Sequence, residues 1–388
     1  MGGSGSSLIA PQAALGRVRS AQVPWDDDDP ISHLAQALGD GLAFVALFIS
    51  PQADFAAVMA GVARFGDAVV VGCTTAGEIG PQGYAEGSIM AIGLSRQDFV
   101  AAPVLIPDLE QLDGPGLVHD TVRARTALVA QEPGWSQEFA FLLVDGLSVR
   151  EDALVSTLAA GLGPVPLFGG SAGDGSRFQE TFVALGERVY RNAAVLCMIR
   201  TACEVQVFSL DHLRPSEHRM VVTEADPARR IVRQINAEPA AREYARMLGK
   251  DPEQLSPFTF AAHPVVVRFG GAHHVRAIQR MLDNGDLVFF SAIDEGLVLT
   301  LADAEDMSQH LARELARITK GRAPEAIWAC DCILRRLEAE EKQQVRALSE
   351  VMRQNRVVGF STYGEQINGL HVNQTMTGVA IFAPSEQG

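Results

Sequence analysis

Val70–Glu78 reads VVGCTTAGE and Val357–Glu365 reads VVGFSTYGE, identical at six of nine positions. A shorter copy, LFGGSAGD, occupies Leu167–Asp174. Each copy follows an apolar run, a helix-like stretch and a second apolar run; the leading runs are LAFVALFIS from Leu42, EFAFLLVDG from Glu138 and EAIWACDCI from Glu325. About 30 residues separate the start of each run from the glycine opening its motif, the length of one strand–helix–strand unit. The repeat therefore places the motif at the carboxyl end of a buried strand, the end that faces ligand crevices in open α/β sheets.

The expected fold class is α/β: repeated strand-helix-strand modules forming two α/β domains, the second with an inserted antiparallel sheet. Leu42–Ser50 reads as a strand, Ala53–Arg64 as a helix and Ala68–Val71 as a strand. Polar excursions follow the motifs, GPQGYAEG after the first and NGLHVNQT after the last, and Glu78 to Ser88 and Glu365 to Thr375 both span ten residues. From Met220 the pattern changes. Ala225–Gly249 reads as a long helix or a helix pair broken near Pro239, and Pro264–Leu299 alternates as antiparallel strands do, with turns at Gly270–Gly271 and Asn284–Asp286. These signals predict a flexible, acidic tail over 1–36, one domain over 37–205 and a second over 206–384.

With 388 residues, 47% hydrophobic and 20% charged, the chain has the composition of a globular protein of two domains. No apolar run approaches the ~20 residues that span a bilayer, and the start lacks a charged-then-apolar leader, so a cytoplasmic protein is expected. Five scattered cysteines (Cys73, Cys197, Cys203, Cys330, Cys332) make no disulfide framework. A net charge of -15 argues against nucleic acid, which needs clustered Lys and Arg. MGGSGS fits a myristoylation pattern but reads as a terminal tail, and Asp26–Asp29 reads as a solvated acidic cap rather than a cation loop.

GCTTAG and GFSTYG superficially match a G-x-S-x-G nucleophile elbow, with Thr74 or Ser361 third. An elbow needs a histidine and an acid delivered to the hydroxyl, and threefold recurrence argues for backbone geometry instead. The chain is therefore expected not to be an enzyme. Glu78, Asp174 and Glu365 close the motifs, as acceptors for the turn or for a ligand ammonium.

GCTTAGE, FGGSAGDG, EYARMLG, RFGGAHHVRAI, AIDEGLVL and GFSTYGEQ with its following HVNQT resemble the FIST family of sensory domains, from about Leu42 to Phe382. The resemblance implies a FIST N-like and a FIST C-like region and a small-ligand receptor for signal transduction. Within the family, the ADPARRIVRQIN segment, the HP ahead of VVVRFGG, and CDCILRRLE are similar to the stand-alone nitric-oxide-sensing haem proteins called NosP. That likeness implies haem b, nitric oxide as the signal, and a separately encoded histidine kinase, diguanylate cyclase or phosphodiesterase as partner. A homodimer, no membrane and no nucleic acid complete the expectation.

Haem needs an axial donor, an apolar slot and cations for its propionates. His263, between Phe258, Phe260 and Val265, and His212, at the domain junction, are the axial candidates. His371, in the excursion over the strand end, comes after them, and Asn373 and Thr375 offer it a hydrogen-bonded turn instead. Arg335 and Arg336 fit carboxylates bidentately, or pair on a helix surface with Glu338 and Glu340. His33, His119 and His310 lie in charged stretches and read as surface imidazoles. His273 and His274 alternate on a strand, so only one faces inward. The alternative within the family is a receptor for an amino acid or other small metabolite without haem, using the Glu365 and Arg335 region.

Overall fold

Leu42–Ile49 and Val69–Thr74 are buried along nearly their whole length, as strands covered on both faces are. In the computed structural model, which describes residues 16–269 and 272–384, the two pair in parallel, Phe44 opposite Val69 and Ile49 opposite Thr74. The same parallel pair recurs as Gln137–Val144 with Leu167–Ser171 and as Ala326–Cys332 with Val357–Thr362. Beside each pair runs the strand that ends its module, Ser88–Ser95, Ala194–Thr201 or Met376–Phe382, in antiparallel register. Outside that lies a further antiparallel strand, Val18–Pro24, Phe99–Ile106 or Glu204–Leu210. Three sheets of identical plan result, as the repeat predicts.

The excursions after the motifs are β-hairpins, and none completes its own module's sheet. The first, Glu78–Gly80 with Gly83–Ala85, adds to the third module's strand Val357–Thr362. The third, Glu365–Ile367 with Leu370–Val372, adds to the second module's Leu167–Ser171. The second, Val183–Leu185 with Arg188–Tyr190, adds to the first module's Val69–Thr74. Donation runs first to third, third to second, second to first, and closes into a ring.

Where the three sheets face one another, aromatic side chains from every module meet. Trp328 lies within 6.4 Å of the rings of Phe44, Phe48, Phe141 and Phe168, and Phe48 stacks on Phe360 at 4.3 Å. All six are fully buried, each worth about 2–3 kcal/mol of apolar transfer. Helices Pro30–Leu38, Gly114–Gln131, Glu151–Leu162, Met307–Thr319 and Val345–Gln354 cover the outer faces. Among the described residues no helix is long and apolar enough to cross a membrane.

Between Leu213 and Ala304 the third module is interrupted by a curled antiparallel sheet, with its own core around Tyr244, Phe260 and Phe289. Its sequence-based reading needs correction at one place. Ala225–Gly249 is not a long helix: Pro227–Arg229 is a single 3₁₀ turn, Ile231–Ile235 is a strand, Asn236 and Ala237 turn with φ of 52° and 61°, and α-helix is confined to Ala240–Met247, after Pro239. Two consecutive left-handed residues are the signature of a tight hairpin turn, here returning to Glu238–Pro239. The turn expected at Asn284–Asp286 links Ile278–Met281 to Leu287–Phe289. Gly270–Gly271 lies outside the described residues, although the flanking strands pair, Phe269 opposite Ala272.

Smaller departures concern the first 65 residues. Val18–Pro24 and Pro30–Leu38, assigned by sequence to the tail, form a strand and a helix, and the acidic run caps that helix through Asp29, whose carboxylate accepts from Ser32 N at 3.3 Å. MGGSGS lies outside the described residues. The helix expected over Ala53–Arg64 breaks at Ala60–Gly61 into Phe55–Met59 and a 3₁₀ turn, Val62–Phe65. The expected boundary at 205/206 falls inside the strand Glu204–Leu210.

Candidate functional site

The three motifs touch one another. The backbone N–H of Ala76 donates to the Ser361 carbonyl at 2.9 Å, Tyr363 N–H to Ser171 at 3.1 Å, and Gly173 N–H to Thr74 at 3.1 Å, so each third-position residue accepts from the next motif. The opening glycine is required by packing: a Cβ on Gly359 would lie 1.8 Å from the Ala329 carbonyl oxygen, and one on Gly169 2.3 Å from that of Leu142. The closing acids bind the protein itself. Glu365 accepts from the Thr362 hydroxyl at 2.5 Å and the Thr375 hydroxyl at 2.7 Å, and Glu78 repeats this with Thr75 at 2.5 Å and Ser88 at 2.8 Å. Asp174 accepts from the backbone of Phe178, Gln179 and Glu180 and from the Tyr363 hydroxyl. Burial, with Asp331 nearby, pushes the Glu365 carboxyl up to about 8. Ser361 Oγ is buried with no hydrogen-bond partner, so no base sits on it.

Helix Ile333–Glu341 begins directly at the end of the third module's first strand and carries a buried chain of charges. Arg335 Nε donates to Asp331 at 2.7 Å, and the Tyr84 hydroxyl, from the first module's hairpin, donates to the other Asp331 oxygen. Arg335 Nη1 lies 3.0 Å from His212 Nδ1, and His212 Nε2 lies 2.9 Å from Glu338, which also takes Lys342 Nζ at 2.7 Å. A guanidinium has no acceptor, so Nδ1 must be the bare nitrogen and Nε2 carries the proton to Glu338. Both ring nitrogens of His212 are thus used. Arg335 pairs with Asp331 rather than Glu338. Arg336 turns away, to Glu340 at 3.2 Å, Glu86 at 2.8 Å and the Ala85 carbonyl at 3.0 Å. His310, expected on the surface, is buried beside this chain, its ring centroid 6.4 Å from that of His212.

His263 ends the helix Pro257–Ala262, and its carbonyl accepts from the Tyr244 hydroxyl at 2.5 Å. Its ring is half-buried and faces charges: desolvation and Lys250 hold its pKa below the usual value, with Glu341, Lys342 and Asp303 also near. The apolar wall expected from Phe258 is absent, because Phe258 is 49% exposed while Phe260 packs on Tyr244.

His371 lies on the hairpin strand Leu370–Val372, which packs against the strand Ala272–Arg276 of the inserted sheet and against helix Glu151–Leu162. It is buried, its Nδ1 is 3.4 Å from Gln366 Nε2, and desolvation holds its pKa down against the pull of Glu151 and Asp152. A Cβ on Gly364 would meet His371 Cε1 at 2.4 Å and Asn373 Nδ2 at 2.9 Å, so the motif glycine lets both side chains lie flat on the strand end. Thr375 bonds Glu365 rather than the imidazole. Asn373 Oδ1 accepts from Ser291, at 2.8 Å, and Gln374 Nε2 donates to the Ala261 carbonyl at 2.5 Å, both groups of the inserted sheet region. Yet Gln366 Oε1, Asn373 Nδ2 and Gln374 Oε1 are buried with no partner. Unpaired buried polar atoms cost roughly 1–3 kcal/mol each. Arg230, Glu151, Asp152 and Arg276 act electrostatically on the neighbouring His371. Sequence reasoning missed Gln366 and Arg276; their signal was only their place in the motifs GEQ and HHVRAI.

The histidines and arginines do not assemble into one haem slot. His212 and Arg335 serve each other, Arg336 holds the first hairpin, His371 rests on Gly364 beside Gln366, and His263 sits among lysines and carboxylates. All five cysteines are free and buried.

The architecture is a mixed α/β one of three interlocked modules with an inserted antiparallel sheet. The FIST N domain matches residues 43–238 and the FIST C domain residues 240–368, and the chain belongs to the FIST family. FIST domains are sensory domains of signal transduction. No protein of curated function matches the chain.

Proposed function

We propose that this FIST protein senses an amino acid or another small polar metabolite, without haem, at the buried polar cluster around His371. The observation that carries this reading is the set of unpartnered buried atoms, Gln366 Oε1, Asn373 Nδ2 and Gln374 Oε1, at the carboxyl end of a parallel strand pair. A polar ligand there supplies the missing hydrogen bonds. Two of the three side chains also hold the inserted sheet, through Ser291 and the Ala261 carbonyl. Occupancy therefore bears on how that sheet sits on the three modules, and a separately encoded histidine kinase or cyclic-di-GMP enzyme reads the change.

The test is calorimetry against a panel of amino acids and small hydroxy acids, beside a haem titration followed at the Soret band. Saturable binding of a panel member by protein with no Soret absorbance supports the proposal. A stoichiometric Soret band abolished by His263→Ala, His212→Ala or His371→Ala, with no panel binding, overturns it in favour of a haem-based nitric oxide sensor.

A further inference from the structure

Arg276 closes the edge strand Ala272–Arg276 of the inserted sheet, beside the hairpin strand that carries His371. Its Nη1 donates to the carbonyl of its own neighbour Val275, at 3.1 Å, and among the described residues no carboxylate lies within ion-pairing distance. Burial lowers its pKa, with Asp152 opposing the shift and Arg230 adding to it. The neighbouring arginine is different. Arg230 is buried and committed, to Glu151 at 2.6 Å and to the Phe290 carbonyl, with Asp152 at 3.6 Å. A partly buried guanidinium with no anion in contact costs desolvation energy that Asp152, acting at a distance, offsets only in part.

The unpartnered atoms nearby fall into two kinds. Asn373 Nδ2 is a donor, like Arg276; Gln366 Oε1 and Asp152 Oδ2 are acceptors, and Asp152 Oδ2, 3.6 Å from Arg230, is buried without a hydrogen bond. Resting on the metabolite reading above, we propose that Arg276, with Asn373 Nδ2, binds the carboxylate of a small organic acid that also carries a hydrogen-bond donor, which goes to Gln366 or Asp152. A carboxylate answers the guanidinium fork in two parallel bonds. A hydroxyl or ammonium on the same molecule answers the acceptors. His371, resting against Gly364, forms the floor between them.

The test uses the full chain and α-amino and α-hydroxy acids of two to six carbons, each beside its primary amide, by calorimetry. The acids bind, and their amides bind at least ~10-fold more weakly, since a lost hydrogen bond to a charged group costs roughly 10- to 100-fold in affinity. Arg276→Gln weakens acid binding by the same factor, and Arg276→Lys restores part of it. Preference for amino over hydroxy acids assigns the donor to Asp152; the reverse preference assigns it to Gln366, and either supports the proposal. Equal affinity for acid and amide, or unchanged binding by a folded Arg276→Gln variant, overturns it and leaves the metabolite reading standing. If no compound of either kind binds the wild-type chain, the metabolite reading itself fails and the Arg276 assignment with it. Should Arg276→Gln not fold, the acid-against-amide comparison in the wild-type protein decides alone.

Discussion

His212→Ala removes the centre of the buried charge chain. Two contacts go at once, Arg335 Nη1 to Nδ1 at 3.0 Å and Nε2 to Glu338 at 2.9 Å, and both partners are left fully buried. Each bond to a charged group is worth about 1.5–3 kcal/mol, and breaking a buried ionic network by removing one member costs about 3–5 kcal/mol. Glu338 keeps Lys342 and Arg335 keeps Asp331, so the expected loss is near the lower end, about 3 kcal/mol. In urea denaturation followed by circular dichroism this is a midpoint shift on the order of 1 M. His33→Ala, at an exposed imidazole that holds only Asp27, serves as control and shifts the midpoint by a few tenths at most. In a double-mutant cycle with Glu338→Gln the two losses are less than additive, by at least ~1 kcal/mol. Indistinguishable His212→Ala and His33→Ala curves would refute the reasoning and free His212 for another role.

Gly359→Ala, which drives a methyl onto the Ala329 carbonyl oxygen 1.8 Å away, prevents folding, whereas Gly186→Ala at an open turn leaves the protein soluble and folded; expression and circular dichroism compare them. The Glu365 carboxyl is raised from 4.5 to about 8 by burial, so the folded state prefers the protonated acid. Its contribution is complete below pH 4.5 and is lost as pH rises to about 8, by at most ~5 kcal/mol. Glu365→Gln flattens that window, and superimposable stability–pH curves for the two proteins would contradict the assignment. Tyr84→Phe deletes the hydroxyl's bond to Asp331 and costs about 1.5–3 kcal/mol in denaturant unfolding; in an Asp331→Asn background the same change costs less than half as much, and an equal cost in both would show that the bond carries nothing.

The module plan was legible because a buried parallel strand writes itself as a continuous apolar run, and three such runs precede three copies of one glycine motif. The scaffold role of that motif was legible too, from recurrence alone. Which strand each hairpin joins was not: GPQGYAEG contains no local signal for Val357–Thr362, and strand pairing at that separation depends on the assembled core. The false helix at Ala225–Gly249 has a physical cause. Val232 and Ile235, both buried, are three apart and imitate a helical stripe, while the decisive feature is the left-handed turn at Asn236–Ala237. His310 misled in the same way, since charged neighbours hide that it shares the buried face of its helix with Leu311 and Leu315. For the site, histidines drew attention because they are chemically versatile, yet the proposed site is marked by single atoms left without a partner on Gln366 and Asn373 and by the guanidinium of Arg276 with no anion in contact. Pairing is a property of space, and a linear sequence does not record it.

The closed ring of exchanged hairpins also sets how the protein comes apart. Each module supplies the edge of one neighbour's sheet and takes its own from the other, so loss of any one strips an edge from the next and strands the hairpin of the third. The two family regions meet near residue 239, inside the inserted sheet, and a cut there separates the first hairpin from the strand it completes. Cooperativity in this chain is then a matter of topology as much as of core area: the ring predicts one melting event shared by all three modules, with calorimetric and van't Hoff enthalpies in agreement.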